Sequence, residues 1–237
     1  MIYTPELLVN FYSTFNYPPP VDIDWTLSGG GGPLGYNIHY ALEIDFLINS
    51  YKCDAIIETG TNVGDSTEYF AKQYPNITII TCEIDSKHLE IAYNRLEKYP
   101  NVHVLQGSSE EIVLKFQNHF KIPFYFLDAH LNGDAYWPLP DEIKNIKKGI
   151  VSIDDFDINN SFYKYDTYVK SNGEIIKCDL QSIPKENIST PIYSNNPSKS
   201  HYPIPIVPPI YQAGRGYFGV GIKEDYFKYN KFFKKLN

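Results

Sequence analysis

Between residues 36 and 157 the chain alternates two kinds of segment, and that alternation limits the fold more than any single motif. Short runs rich in β-branched and aromatic residues, at 55–58, 77–83, 102–106, 124–128 and 150–154, have the continuous apolarity of strands buried on both faces. Helical stretches come between them at 65–73, 86–99, 109–120 and about 139–148, and one at 36–51 leads into the first strand. Strand and helix repeated at this spacing predict a parallel sheet with helices on both faces. Ser86 and Ser109 stand where helix N-caps belong.

Outside this region the patterning changes. Residues 1–35, with Pro18, Pro19, Pro20 and four glycines at 29–32, read as an irregular arm, and 36–237 as a single domain. A further helix at 161–171 and a strand at 174–180 are expected. The Pro- and Tyr-rich stretch at about 182–212 reads as a loop insertion, because proline cannot donate to a sheet interior. Its part at 193–211 is placed to close over a ligand. A strand pattern returns at 215–223, and the tail from Glu224 reads as a helix or a frayed end.

Composition excludes several classes. With 237 residues, 43% of them hydrophobic, the chain fills one α/β domain. Asp+Glu outnumber Lys+Arg by 28 to 21, a net charge of −7, which argues against a nucleic-acid partner. No apolar run approaches the about 20 residues that span a bilayer, and Met1 opens a polar, aromatic segment. The expectation is a soluble cytoplasmic protein with no membrane partner. Three cysteines, Cys53, Cys82 and Cys178, never form a CxxC pair. They read as small buried hydrophobes, not as a disulfide or zinc framework.

The chemistry concentrates at strand ends. The first strand ends in Glu58-Thr59-Gly60-Thr61-Asn62-Val63-Gly64, an acid and a glycine turn that open a helix. Ligands of open α/β sheets sit outside such carboxyl ends. The spacing is neither the dinucleotide fingerprint nor a P-loop. An acid before the turn repels a pyrophosphate and suits a cationic amino group; a purely structural turn is the other reading of Gly60 and Gly64. The fourth strand ends in Asp128-Ala129-His130 and the fifth in Asp154-Asp155-Phe156-Asp157, so carboxylates converge on the same edge. Crowded carboxylates need a proton or a cation, and an all-oxygen set suits Mg²⁺, Mn²⁺ or Ca²⁺. Helix caps and turns for the acids, and a capping or surface role for His130, remain open alternatives.

The glycine turn resembles motif I of class I S-adenosylmethionine-dependent methyltransferases, and the resemblance extends over residues 56–155. It implies a Rossmann-like sandwich with a mostly parallel seven-stranded sheet and an antiparallel last strand. It implies that S-adenosylmethionine lies on Glu58, Thr59, Gly60, Thr61, Gly64, Ser66, Thr67, Ser108, Ser109 and Asp128, with Glu83 on the ribose hydroxyls. The acids after strands four and five look like the metal-dependent O-methyltransferases, of the macrolide-sugar and cephalosporin-hydroxylase-like kind. On that likeness Asp128, Asp154 and Asp155 bind a divalent cation, and His130, with Asp128, is catalytic as the base. The expected acceptor is a hydroxyl of a sugar, a glycan or a similar vicinal diol, and a homo-oligomer is an open option. Two alternatives stand beside this. One is a metal-dependent glycosyltransferase using Asp155 and Asp157; the other is a non-catalytic binding module of the same fold.

Overall fold

The computed structural model describes residues 4–14, 32–130, 136–199 and 212–236. Most of the proline-rich cover and of the arm therefore lies outside the described residues. The core alternation is as the sequence predicts: α2 (Ile38–Tyr51), β1 (Ala55–Thr59), α3 (Asp65–Gln73), β2 (Thr78–Glu83), α4 (Ser86–Leu96), β3 (Val102–Gln106), α5 (Ser109–Phe116), β4 (Pro123–Leu127), α6 (Leu139–Asn145) and β5 (Gly149–Ile153). It is preceded by α1 (Pro5–Tyr12) and followed by β6 (Thr167–Val169), β7 (Ile175–Lys177), β8 (Tyr193–Asn195), β9 (Gly216–Val220) and β10 (Phe233–Lys235).

The central sheet has the order β10-β8-β9-β5-β4-β1-β2-β3. Strands β1 to β5 run parallel, and β9 pairs antiparallel with both β5 and β8. This is the expected Rossmann-like sandwich, with eight strands in place of seven. Two of them form where no strand was expected: β8 lies within the stretch read as a loop, and β10, which pairs antiparallel with β8, replaces the helical or frayed tail. The strand expected at 174–180 forms as β7, in a separate two-stranded sheet. Aromatic side chains explain its docking, because Phe233 packs edge-on against Tyr217 and Phe227.

Each inner strand alternates its side chains between two cores. Ile56, Phe124 and Ile150 face the α2 and α3 side, while Ile57, Tyr125 and Val151 face α5 and α6. Burying each such side chain contributes about 1.5–3 kcal/mol, and that continuous two-faced burial is why these strands read so clearly. All three cysteines are free and buried, as expected.

Four local readings are corrected. The arm is not irregular throughout, since α1 is capped by the Thr4 hydroxyl and buries Leu7 and Phe11. No helix forms at 161–171; turns and the small β6–β7 hairpin occupy the region. The N-cap before α4 is Asp85, whose carboxylate accepts from the backbone N–H of Lys87 and His88, and Ser86 is already helical. The N-cap of α5 is Ser108, one residue before the expected Ser109.

Candidate functional site

The carboxyl ends of β1 and β2 are tied together by side chains that reach across the glycine turn. Gly60 and Thr61 both donate their backbone N–H to Cys82 O, at 3.1 and 2.9 Å. Gly60 has φ +79°, and a Cβ there would collide with the carbonyl of Asp128, so β4 itself requires the glycine. Gly64 caps α3 from a left-handed conformation at φ +84°. Both glycines are thus demanded by the chain's own packing, and the turn is held ready at the sheet edge.

Glu58 and Glu83 secure the turn from below and from the side. Glu58 is 1% exposed and points into the sheet, where its Oε2 accepts from the hydroxyls of Thr67 and Thr81. Burial pushes its carboxyl up to about 7, against the pull of those two hydroxyls. It therefore organises the turn. Glu83 takes the backbone N–H of Asn62 on Oε2 at 2.7 Å and those of Ile84 and Asp85 on Oε1, both at 2.9 Å. Oε2 keeps a lone pair for a ligand hydroxyl.

The remaining turn residues divide between structure and site. Thr59 and Thr67 are fully buried, and Thr61 bonds Thr81 at 2.6 Å. Ser66 accepts from the backbone N–H of Leu34. Next to Glu83, Gly107 donates to Glu83 O at 3.2 Å, which fixes the β3–α5 turn beside it. The Ser108 hydroxyl makes no capping bond there, and Ser109 is buried.

At β4 and β5 the acids do converge. Asp128 and Asp154 are both half-buried, and desolvation with the charges of Asp154 and Asp155 pushes the carboxyl of Asp128 well above its ordinary value. Burial raises Asp154 to about 6, against the pull of Arg215. Its Oδ1 has no hydrogen-bond partner among the described residues. Asp155 adopts φ +48° and gives its backbone carbonyl to Asp166 N.

His130 is enclosed, with its side chain 0% exposed. Its Nδ1 lies 3.3 Å from Asp166 Oδ2, its Nε2 has no partner among the described residues, and its ring stacks on Trp137 at 5.3 Å. Burial presses its pKa down, but the hydrogen bond and charge of Asp166, with Glu142 and Asp155, outweigh burial and raise it above 6.5.

Three functional groups were missed in sequence. Asp166 reaches His130 from a segment read as a helix. Glu142 is buried on α6 with both oxygens unpartnered. Arg215, at 1% exposure, pairs with Glu43 through Nη2 at 2.9 Å and Nε at 3.0 Å, while its guanidinium lies 4.4 Å from the centre of the Tyr40 ring. Arg215 had one available signal, being one of only two arginines in the chain. It also alters the argument for a metal, because it supplies a buried cation near Asp154. Among the described residues, no three His, Cys, Asp or Glu side chains form a group that could hold a metal ion. Asp128, Asp154 and Asp155 still offer the all-oxygen donor chemistry that suits a hard divalent cation.

No family model matches the chain, and no curated protein matches it. Solved structures do. An O-methyltransferase from Bacillus cereus in complex with SAH shares 16% identity, with 93% of this chain and 92% of that chain covered and a TM-score of 0.48. The SAH-bound Podospora anserina methyltransferase PaMTH1 shares 19% identity over 65% of this chain, with a TM-score of 0.41. The match spans 63% of the Podospora protein's own length. A SAM-dependent methyltransferase from Aquifex aeolicus shares 14% identity, with 57% and 74% covered and a TM-score of 0.38. These are likenesses of fold, and the functional reading below rests on the residues. No helix among the described residues is long and apolar enough to cross a membrane.

Proposed function

We propose that the chain transfers a methyl group from S-adenosylmethionine to a hydroxyl of a small acceptor. The observation that carries this reading is the coupling of Glu83 to the glycine turn through Asn62 N–H. It sets a carboxylate with a spare lone pair beside the turn at the carboxyl edge, where a ribose diol can take it. S-adenosylmethionine bound there would supply an electrophilic methyl group.

The protein's part is to orient the acceptor and take its proton. With Nδ1–H given to Asp166, the neutral imidazole of His130 keeps its Nε2 lone pair for the acceptor hydroxyl. The raised pKa makes it a stronger base than a free imidazole. Asp128 and Asp154 offer oxygens to neighbouring hydroxyls, which supports a vicinal diol such as a sugar, a glycan or a catechol-like ring. The aromatic faces of Trp137 and Tyr168, 5.8 Å apart, add apolar surface nearby. A divalent cation on Asp128, Asp154 and Asp155 remains a separable part of the reading, and no step is assigned to it.

The glycosyltransferase reading is weakened by Asp157, whose carboxylate pairs with Lys177 at 3.1 Å and caps a turn at Asn159 N. The test is methyl transfer from labelled S-adenosylmethionine to a panel of sugars, polyols and phenols, with and without chelation. Turnover on a diol supports the reading. Turnover that survives exhaustive chelation removes the cation, and tight donor binding without turnover on any acceptor favours the binding-module alternative.

A further inference from the structure

Glu142 has entered so far only through its charge on His130, yet it is the most conspicuous unsatisfied group near the site. It is 0% exposed, and neither carboxyl oxygen has a hydrogen-bond partner among the described residues. A carboxyl group withdrawn from water without a partner is costly to a fold, and most buried polar groups are satisfied. A ligand that brings a donor accounts for the exception.

The position of Glu142 is set by its helix. Asn145, three residues later on the same face, donates to Glu110 O in the first turn of α5 at 3.0 Å. Tyr136, just before α6, bonds Glu110 Oε1 at 2.8 Å. Helices α5 and α6 both follow strands of the parallel set and start at its carboxyl edge. Glu142 therefore lies one turn nearer that edge than the Asn145 contact, level with Gly107, Ser108 and Ser109. Burial raises its carboxyl, and the hydroxyls of Ser109 and Thr59 draw it part of the way back without reaching hydrogen-bond geometry.

A ribose held by Glu83 lays its base against this same turn, because Gly107 is hydrogen-bonded to Glu83. Adenine presents a 6-amino donor on its outer edge, whereas a 6-oxo purine presents an acceptor there. A carboxyl group keeps an accepting oxygen whether ionised or protonated. Asp166 already holds His130 Nδ1, so Glu142 is not needed to orient that ring. Resting on the S-adenosylmethionine reading, we propose that Glu142 accepts from the 6-amino group of adenine and makes the site selective for adenosine over 6-oxo nucleosides.

The experiment is calorimetric titration of the full chain with S-adenosylhomocysteine and with S-inosylhomocysteine, its 6-oxo counterpart. Wild type is expected to favour the adenosyl ligand by about 10- to 100-fold. Glu142→Gln can turn an amide donor to the 6-oxo group and should bring the ratio within about threefold. Glu142→Ala should weaken the adenosyl ligand and leave the inosyl ligand unchanged. Thermal unfolding checks each variant; if either does not fold, Glu142→Asp replaces it, and the same fall in ratio is expected. Equal wild-type affinity for the two ligands, or an unchanged ratio in the variants, overturns the role of Glu142 alone. Wild type that binds neither ligand overturns the S-adenosylmethionine reading, and this proposal with it.

Discussion

The two halves of the sheet's carboxyl edge are built on opposite principles. At β1, β2 and β3 the carboxylates are satisfied from within: Glu83 by three backbone N–H groups, and Glu58 by two threonine hydroxyls. At β4 and β5 polar atoms stay open, among them Asp154 Oδ1 and His130 Nε2. A satisfied half is rigid before any ligand arrives, which suits a constant donor. An open half retains capacity for hydroxyls and protons, which suits an acceptor and its chemistry. Beside the open half lies the buried Arg215–Glu43 pair, and the charge of Arg215 draws down the carboxyl of Asp154.

The largest expected effect tests that last point. Arg215→Met leaves the Glu43 carboxylate buried without its cation, though still bonded by the Tyr217 hydroxyl, so it should cost about 3–5 kcal/mol in unfolding by urea. A loss below about 1 kcal/mol would mean that the open half does not depend on this cation.

His130→Ala separates the halves functionally. Turnover should fall by about 10²–10⁴-fold while donor affinity stays as in wild type. Because Asp166 helps to raise the pKa of His130, the wild-type rate should rise with pH through a point above 6.5. Asp166→Asn should move that rise to lower pH. An unchanged profile in both variants would assign proton removal to another group.

A smaller effect belongs to the satisfied half. The carboxyl of Glu58 is raised from about 4.5 to about 7 by burial, so the unfolded chain ionises it first. Its contribution is complete below about pH 4.5 and is lost as pH climbs to about 7, a decline of order 2–3 kcal/mol. Glu58→Gln should flatten the stability profile in that window relative to wild type. Parallel profiles would show that hydroxyl bonds already compensate the ionised form.

The same contrast explains what could be read from sequence. The satisfied half is assembled from residues 58–109, whose order along the chain mirrors their order along the edge. Periodicity and turn chemistry placed Glu58 and Gly60 there, and the resemblance to the methyltransferase motifs singled out Glu83 and Ser108. In the open half, Asp128, His130 and Asp154 were legible as strand-end residues, but their partners were not. Asp166 follows His130 by 36 residues and sits in turns with no periodic signal. Arg215 finds Glu43 across 172 residues through antiparallel β9, a pairing that no local pattern encodes. For the same reason the sequence argument for a cation could not include Arg215, since no basic residue stands near the acids along the chain.

The central claim is that the satisfied half is an adenosyl site with Glu83 at its ribose end. Isothermal titration of S-adenosylhomocysteine into wild type and Glu83→Ala tests it most directly. Saturable one-to-one binding to wild type is expected, weakened in the variant by about 1.5–3 kcal/mol for each charge-assisted bond lost. Wild-type affinity in a folded Glu83→Ala protein would contradict the claim.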